Sequence, residues 1–203
     1  MTILVQHRVN TFEKLKEVSN VQGAEIDLRI SFGKLVLAHD PFQEGCEFRS
    51  WIQKYRGRLL VINVKEMGLE ELIVSELQNA NRRIEFFFLD LAVPYLLKSQ
   101  GMGYECAARV SEFETLESAL LLNSKWLWID SFTGKWDHLK ELKSLKSLYG
   151  NKKKICLVSP ELQGRNLMAS NELSKIINLK EKFALDFDAI CTKLPDYWRR
   201  YVN

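Results

Sequence analysis

Two short stretches near the N-terminus hold residue types that can do chemistry. The first is Gln6-His7-Arg8-Val9-Asn10, and the second runs from Gly23-Ala24-Glu25-Ile26-Asp27 to Ala38-His39-Asp40-Pro41. In a strand, alternate side chains point to the same face, so Glu25 and Asp27 point together, as a pair of hard oxygen ligands must. His7 and His39 sit at the ends of the apolar runs Ile3-Leu4-Val5 and Leu35-Val36-Leu37, where they can flank whatever the carboxylates hold. Two histidines beside a carboxylate pair imply acid–base chemistry on a charged substrate with a divalent cation.

Something must position these groups. Short apolar runs alternate with amphipathic stretches along the chain. The runs are Ile3–Gln6, Ala24–Ile30, Leu59–Val64, Glu85–Leu91, Glu105–Val110, Trp126–Ser131, Lys154–Ser159 and Phe187–Thr192. Several are apolar on both faces, as parallel strands covered on both sides are. Between them, Leu69, Leu72, Ile73, Leu77 and Ala80 fall at helical spacing. So do Trp136, Leu139, Leu142, Leu145 and Leu148, with Gly150 as C-cap, and Leu167, Leu173, Ile176 and Ile177. Asn10-Thr11 before Phe12 and Leu15 reads as an N-cap. This alternation predicts an α/β fold, a compact TIM (β/α)₈ barrel in one domain, 1–203, near the lower size limit of that fold. An open doubly wound sheet uses the same alternation, but no Gly-rich phosphate loop follows the first strand. In a barrel the C-terminal strand ends carry the chemistry. His7, the Glu25/Asp27 pair and the Asn63/Lys65 pair then converge on one rim, and Leu35–Leu37 brings His39 back towards it.

Composition bounds the rest. The chain has 203 residues, 46% of them hydrophobic and 27% charged, which suits one soluble globular domain. The formal charge of +3 neither demands nor excludes an anionic partner, and no basic patch marks a nucleic-acid binder. The cysteines, Cys46, Cys106, Cys156 and Cys191, have no metal or redox spacing; the last three lie in apolar runs and read as buried thiols of a reducing compartment. No secretory leader and no run of transmembrane length is visible, so the expectation is a cytoplasmic protein. No amphipathic or exposed aromatic membrane-binding segment stands out. His138, on a Lys-rich helix, is expected to face solvent.

The ordered set of motifs resembles the glycerophosphodiester phosphodiesterase family and its wider class, the PLC-like phosphodiesterases. The matching residues are His7-Arg8, Asn10-Thr11, Gly23-Ala24-Glu25-Ile26-Asp27, Ser31-Phe32-Gly33, Val36, His39-Asp40 and Asn63-Val64-Lys65. A late Thr192-Lys193-Leu194-Pro195 is similar to the family's closing motif. The strong part covers about the first 65 residues. The resemblance implies a phosphodiester hydrolase acting on a small-molecule phosphodiester. It implies acid–base roles for His7 and His39, a Mg²⁺ or Ca²⁺ site at Glu25, Asp27 and Asn63, and phosphate contacts from Arg8 and Lys65. The chain departs from the family in four places. Val9 stands where the family has Gly, the turn before His39 is one residue short, and Asn63 replaces a third acidic ligand. The stretch Phe42–Arg58 is too short for the family's inserted subdomain, which leaves Arg49, Trp51 and Lys54 as candidate contacts there. Asp130, Ser159 and Glu161 sit at late strand ends as further pocket candidates. The alternatives are a non-catalytic or weakly active phosphate-ligand binder on the same barrel, and a metal-independent phosphodiesterase of the phosphatidylinositol-phospholipase type.

Overall fold

The computed structural model describes residues 1–80, 83–167 and 170–202. They fall into two compact units. One is Val5–Cys106; the other joins Met1–Leu4 to Ala107–Asn203. Both carry the strand–helix alternation that the barrel reading requires.

In the unit Val5–Cys106, the end of β1 (Ile3–Gln6) pairs in parallel with the start of β2 (Gly23–Ser31). β2 is the longest strand, and it pairs in parallel with β5 (Leu59–Val64) from Gly23↔Leu59 to Leu28↔Val64. β5 pairs in parallel with β6 (Glu85–Leu89). Beyond the parallel ladder, β2 doubles back through an antiparallel hairpin with β3 (Lys34–Leu37), and β4 (Cys46–Glu47) lies antiparallel to β3. This excursion carries His39. The helices are α1 (Phe12–Glu17), α2 (Phe48–Ile52), α3 (Glu70–Gln78) and α4 (Val93–Gly101). Thr11 caps α1 as expected, its side chain accepting from Lys14 N. Ile26, Leu28, Val61, Ile62, Phe87 and Phe88 are fully buried, which explains why these runs read as apolar on both faces.

In the other unit, β7 (Ala107–Val110), β8 (Trp126–Ile129), β9 (Lys154–Val158) and β10 (Ala189–Thr192) form a parallel ladder in chain order. Ile3 N donates to Asp188 O at 2.9 Å, beside β10. The helices are α5 (Leu116–Leu121), α6 (Leu145–Tyr149), α7 (Glu172–Lys182) and α8 (Pro195–Trp198). Their apolar faces join Leu127, Ile129, Leu157 and Ile190 in one cluster.

Two sequence expectations change here. The stretch after Trp136 is 3₁₀-helical over Asp137–Ser144 and α-helical only over Leu145–Tyr149. Its apolar residues recur strictly every third position, the period of a 3₁₀ helix rather than of an α-helix. His138 is also buried, not solvent-facing. Its ring lies 5.9 Å from that of Trp136, and burial lowers its pKa below the ordinary histidine value. Cys106, Cys156 and Cys191 are buried thiols, as expected.

Candidate active site

The site lies within the unit Val5–Cys106. At the end of β1 the chain turns sharply, and Arg8 takes a left-handed backbone with φ 53°. That conformation is disfavoured for a residue with a Cβ. It is the local answer to Val9, which stands where the resembled family has its glycine. Arg8 makes the turn, and Val9 is buried with its N–H on Glu25 O at 2.8 Å. The turn aims His7 and Arg8 at β2. Arg8 N donates to Glu25 Oε2 at 2.7 Å, and His7 Nε2 lies 3.8 Å from the same oxygen.

Glu25 and Asp27 are both buried on β2, at 1% and 0% exposure. Asn10 holds Asp27 at two points. Its Nδ2 donates to Asp27 Oδ2 at 2.7 Å, and its Oδ1 accepts from Asp27 N at 3.0 Å. Lys65 Nζ lies 3.0 Å from Asp27 Oδ1, and Arg8 Nε lies 4.0 Å from Asp27 Oδ2. Burial, helped by the charge of Asp27, pushes Glu25 up to about 8; the Arg8 N–H bond and the Lys65 and Arg8 charges oppose this. Burial and the neighbouring Asp27 thus favour the neutral form of Glu25.

His39 reaches this pair because β3 runs back along β2. Ala38 N donates to Asp27 O at 3.1 Å, which seats the following turn beside the carboxylates. His39 Nε2 then meets Arg8 Nη2 at 2.6 Å, and its Nδ1 meets Asp40 Oδ1 at 2.7 Å. Arg29 steadies the turn by donating from Nε and Nη2 to His39 O at 3.1 and 3.0 Å.

Asn63 is the register partner of Asp27 across the β2–β5 ladder, so the two residues sit side by side. Its Oδ1 is buried with no hydrogen-bond partner among the described residues. Among those residues no group of three His, Cys, Asp or Glu side chains is arranged to hold a metal ion. With the amide counted, the donors are two carboxylates and one unpartnered carbonyl oxygen. That is the chemistry a hard cation takes, with the Lys65 ammonium competing at Asp27.

A cavity of about 510 Å³ adjoins the site, lined by Arg8, Asn10, Lys14, His39, Glu44 and Cys46 among others. The seven residues predicted from sequence, His7, Arg8, Glu25, Asp27, His39, Asn63 and Lys65, thus lie in one unit around one carboxylate pair.

The further candidates are placed otherwise. Trp51 is fully buried and stacked on Tyr55 at 5.2 Å. Arg49 is paired with Glu76 at 2.6 Å, and Lys54 lies 4.4 Å above the Phe12 ring. The stretch reaches the cavity through Gln43, Glu44, Gly45 and Cys46 instead. In the other unit, Asp130 accepts from Arg109 and Gln163, Glu161 accepts from Thr192 and Lys193 N, and Ser159 accepts from Trp198 Nε1. These contacts bind late strand ends to their neighbours. Sequence reasoning missed the roles of Asn10, Asp40 and Arg29. Asn10 had the right clue in its place beside His7-Arg8, but was read as a cap and as part of the resembled motif, with no role at the carboxylates.

No family model matches the sequence, and no curated protein matches it. Solved structures do match in fold. A protein from Galdieria sulphuraria assigned as a glycerophosphodiester phosphodiesterase superposes with TM-score 0.70 at 14% identity, over 99% of this chain and 97% of that one. A glycerophosphoryl diester phosphodiesterase from Parabacteroides distasonis gives TM-score 0.68 at 10% identity, over 100% of this chain and 88% of that one. The α/β alternation expected from the sequence is therefore that of known structures: the chain has the fold of the glycerophosphodiester phosphodiesterases.

Proposed function

We propose that this chain is a phosphodiester hydrolase of the glycerophosphodiester phosphodiesterase type, built on a (β/α)₈ scaffold. One observation carries the reading: both histidines, Arg8 and Lys65 surround the buried Glu25–Asp27 pair. Arginine can only donate hydrogen bonds, so the His39 nitrogen that meets Arg8 is the one with the lone pair. Nδ1–H then faces Asp40, whose carboxyl is held below the ordinary aspartate range by its bond to His39. A neutral histidine oriented by a carboxylate is a general base.

In this reading His39 Nε2 takes a proton from water or from a neighbouring substrate hydroxyl. The freed oxygen lone pair forms a bond to phosphorus, and the bond from phosphorus to the leaving alcohol breaks. His7, beside Glu25, delivers a proton to that alkoxide. Arg8, whose Nε is buried without a hydrogen-bond partner among the described residues, and Lys65 hold the non-bridging oxygens. Glu25, Asp27 and Asn63 would hold a Mg²⁺ or Ca²⁺ ion, which when bound neutralises charge on the phosphodiester.

A second reading, the same reaction without a cation, is favoured by the Lys65 ammonium 3.0 Å from Asp27 Oδ1. The test is hydrolysis of glycerophosphocholine and of bis(p-nitrophenyl) phosphate, with and without EDTA. Turnover that is lost in His39→Ala supports the hydrolase reading. Turnover that survives EDTA selects the cation-free form. Phosphodiester binding without turnover identifies a non-catalytic binder.

A further inference from the structure

We propose that the excursion from Arg29 to Glu47 docks on a zwitterionic phospholipid surface, so that the site meets its phosphodiester in a membrane. The identity of what is cut rests on the reading above; the docking does not. Two residues carry the proposal. Phe32 and Phe42 are fully exposed, at 103% and 106%. Both also hold a left-handed backbone, with φ 45° and 63°. A bulky aromatic is disfavoured in that region, and an exposed one gains nothing from burial. Phe32-Gly33 forms the two-residue turn between β2 and β3, with Gly33 at φ 75°, a place where Asn-Gly is the usual choice. Neither phenylalanine serves the fold as seen. Each has a use if an apolar phase meets it.

Their positions fit that use. Phe32 sits in the hairpin turn, with the exposed Ile30 two residues before it near the end of β2. Phe42 follows His39 by three residues. Arg29, on β2 three residues before Phe32, donates twice to His39 O and so holds the turn that leads to Phe42. Charge argues for the class of lipid. Between Arg29 and Glu47 the chain has the cations Arg29 and Lys34 against the acids Asp40, Glu44 and Glu47. There is no basic excess to seek an anionic membrane. The cavity presents Glu44 together with Arg8 and Lys14, which complements a head group bearing both an ammonium and a phosphate.

The test is co-sedimentation with phosphatidylcholine vesicles, using the full chain with His39→Ala so that the lipid is not consumed. The expected result is vesicle binding that falls on the order of tenfold for Phe32→Ala and for Phe42→Ala, and is lost in the double variant. Both single variants with His39 intact should keep their melting temperature and their kcat/KM on a soluble phosphodiester. Vesicle binding without any lipid turnover in the His39 protein keeps the docking and removes the hydrolase reading. Three results overturn the docking: no sedimentation, sedimentation unchanged in the double variant, or binding confined to phosphatidylserine vesicles and lost in salt. A fourth is a wild-type dimer that the double variant dissolves, which assigns the surface to a second copy of this chain.

Discussion

Arg8 Nη2 lies 2.6 Å from His39 Nε2, joining residues 31 apart in sequence. Each group is thereby held where the other needs it. In the proposed reaction the guanidinium holds the imidazole nitrogen at the site, and the imidazole fills the guanidinium edge until a phosphate oxygen competes for it. In the proposed reaction, substrate binding and release of the base are thus one exchange of hydrogen bonds.

The two histidines should respond differently to the leaving group. An alkyl alcohol needs a proton as it departs, whereas p-nitrophenolate does not. His7→Ala should lower kcat by about 10²-fold or more on glycerophosphocholine and far less on bis(p-nitrophenyl) phosphate. His39→Ala should lose about 10²-fold or more on both. Steady-state kinetics on the two substrates decide it, with circular dichroism to show that the variants fold. Equal losses on both esters for His7→Ala would reverse or remove the assignment.

Asn63 supplies an oxygen but no charge, so a cation bound beside Asp27 should be held weakly. Asn63→Glu should tighten Ca²⁺ or Mg²⁺ binding by on the order of tenfold, read by calorimetry on the protein alone. Binding that is undetectable in both proteins would favour the form in which Lys65 and Arg8 act without a metal.

Much of this was legible in the sequence, for reasons that differ by residue. The parallel strands were visible because residues such as Ile62 and Phe87 are buried in them and leave continuous apolar runs. Glu25 and Asp27 were visible because strand periodicity puts them on one face, whereas the roles of His7 and Asn63 came from their places in the resembled motifs. The grip of Asn10 on Asp27 was not, because it joins residues 17 apart through a turn whose left-handed Arg8 has no sequence mark. The bond from Arg29 to His39 O depends on β3 folding back, and only the register reveals it. Phe32 and Phe42 were invisible for the opposite reason: an apolar residue reads as core unless the backbone shows it pointing outward.

Glu112 makes acid stability testable in the unit that holds β7 to β10. Burial works against its charge. Even so, bonds from the Ser131 and Thr133 hydroxyls, and from backbone N–H groups including that of Phe132, hold it down at about 2 instead of 4.5. A folded pKa below the unfolded one adds stability that is complete above the unfolded value and is lost as pH falls towards the folded one. Urea unfolding between about pH 5 and pH 2 should therefore show a slope that Glu112→Gln reduces by up to one proton. An unchanged slope would mean that these bonds do not hold the charged form.

Trp51 belongs to the core and not to the cavity wall. It is fully buried and stacked on Tyr55, whose hydroxyl donates to Leu59 O at 2.6 Å at the start of β5. Trp51→Ala should cost about 3–5 kcal/mol of stability, measured by denaturant unfolding. A loss under about 1 kcal/mol with a large rise in KM would instead make it a substrate contact.

Substrate size offers the last test. The cavity beside His39 is bounded by the exposed residues Gln43, Glu44 and Gly45 and lined on its other side by Lys14 and Thr11, with no capping subdomain in the short stretch before β5. At about 510 Å³ it has room for more than a glycerol head group. Water exclusion around so small a ligand would be poor and selectivity for it weak. Phosphodiesters with a larger alcohol, such as a sugar or nucleoside, should therefore show higher kcat/KM than glycerophosphocholine. Lys14→Ala should raise KM for those with a second anionic group, because the Lys14 ammonium, now 3.0 Å from Arg8 O, is within the cavity wall. A graded panel compared by kcat/KM settles the point. An optimum at the smallest glycerophosphodiester would show that some other loop closes the site and that the open mouth does not set substrate size.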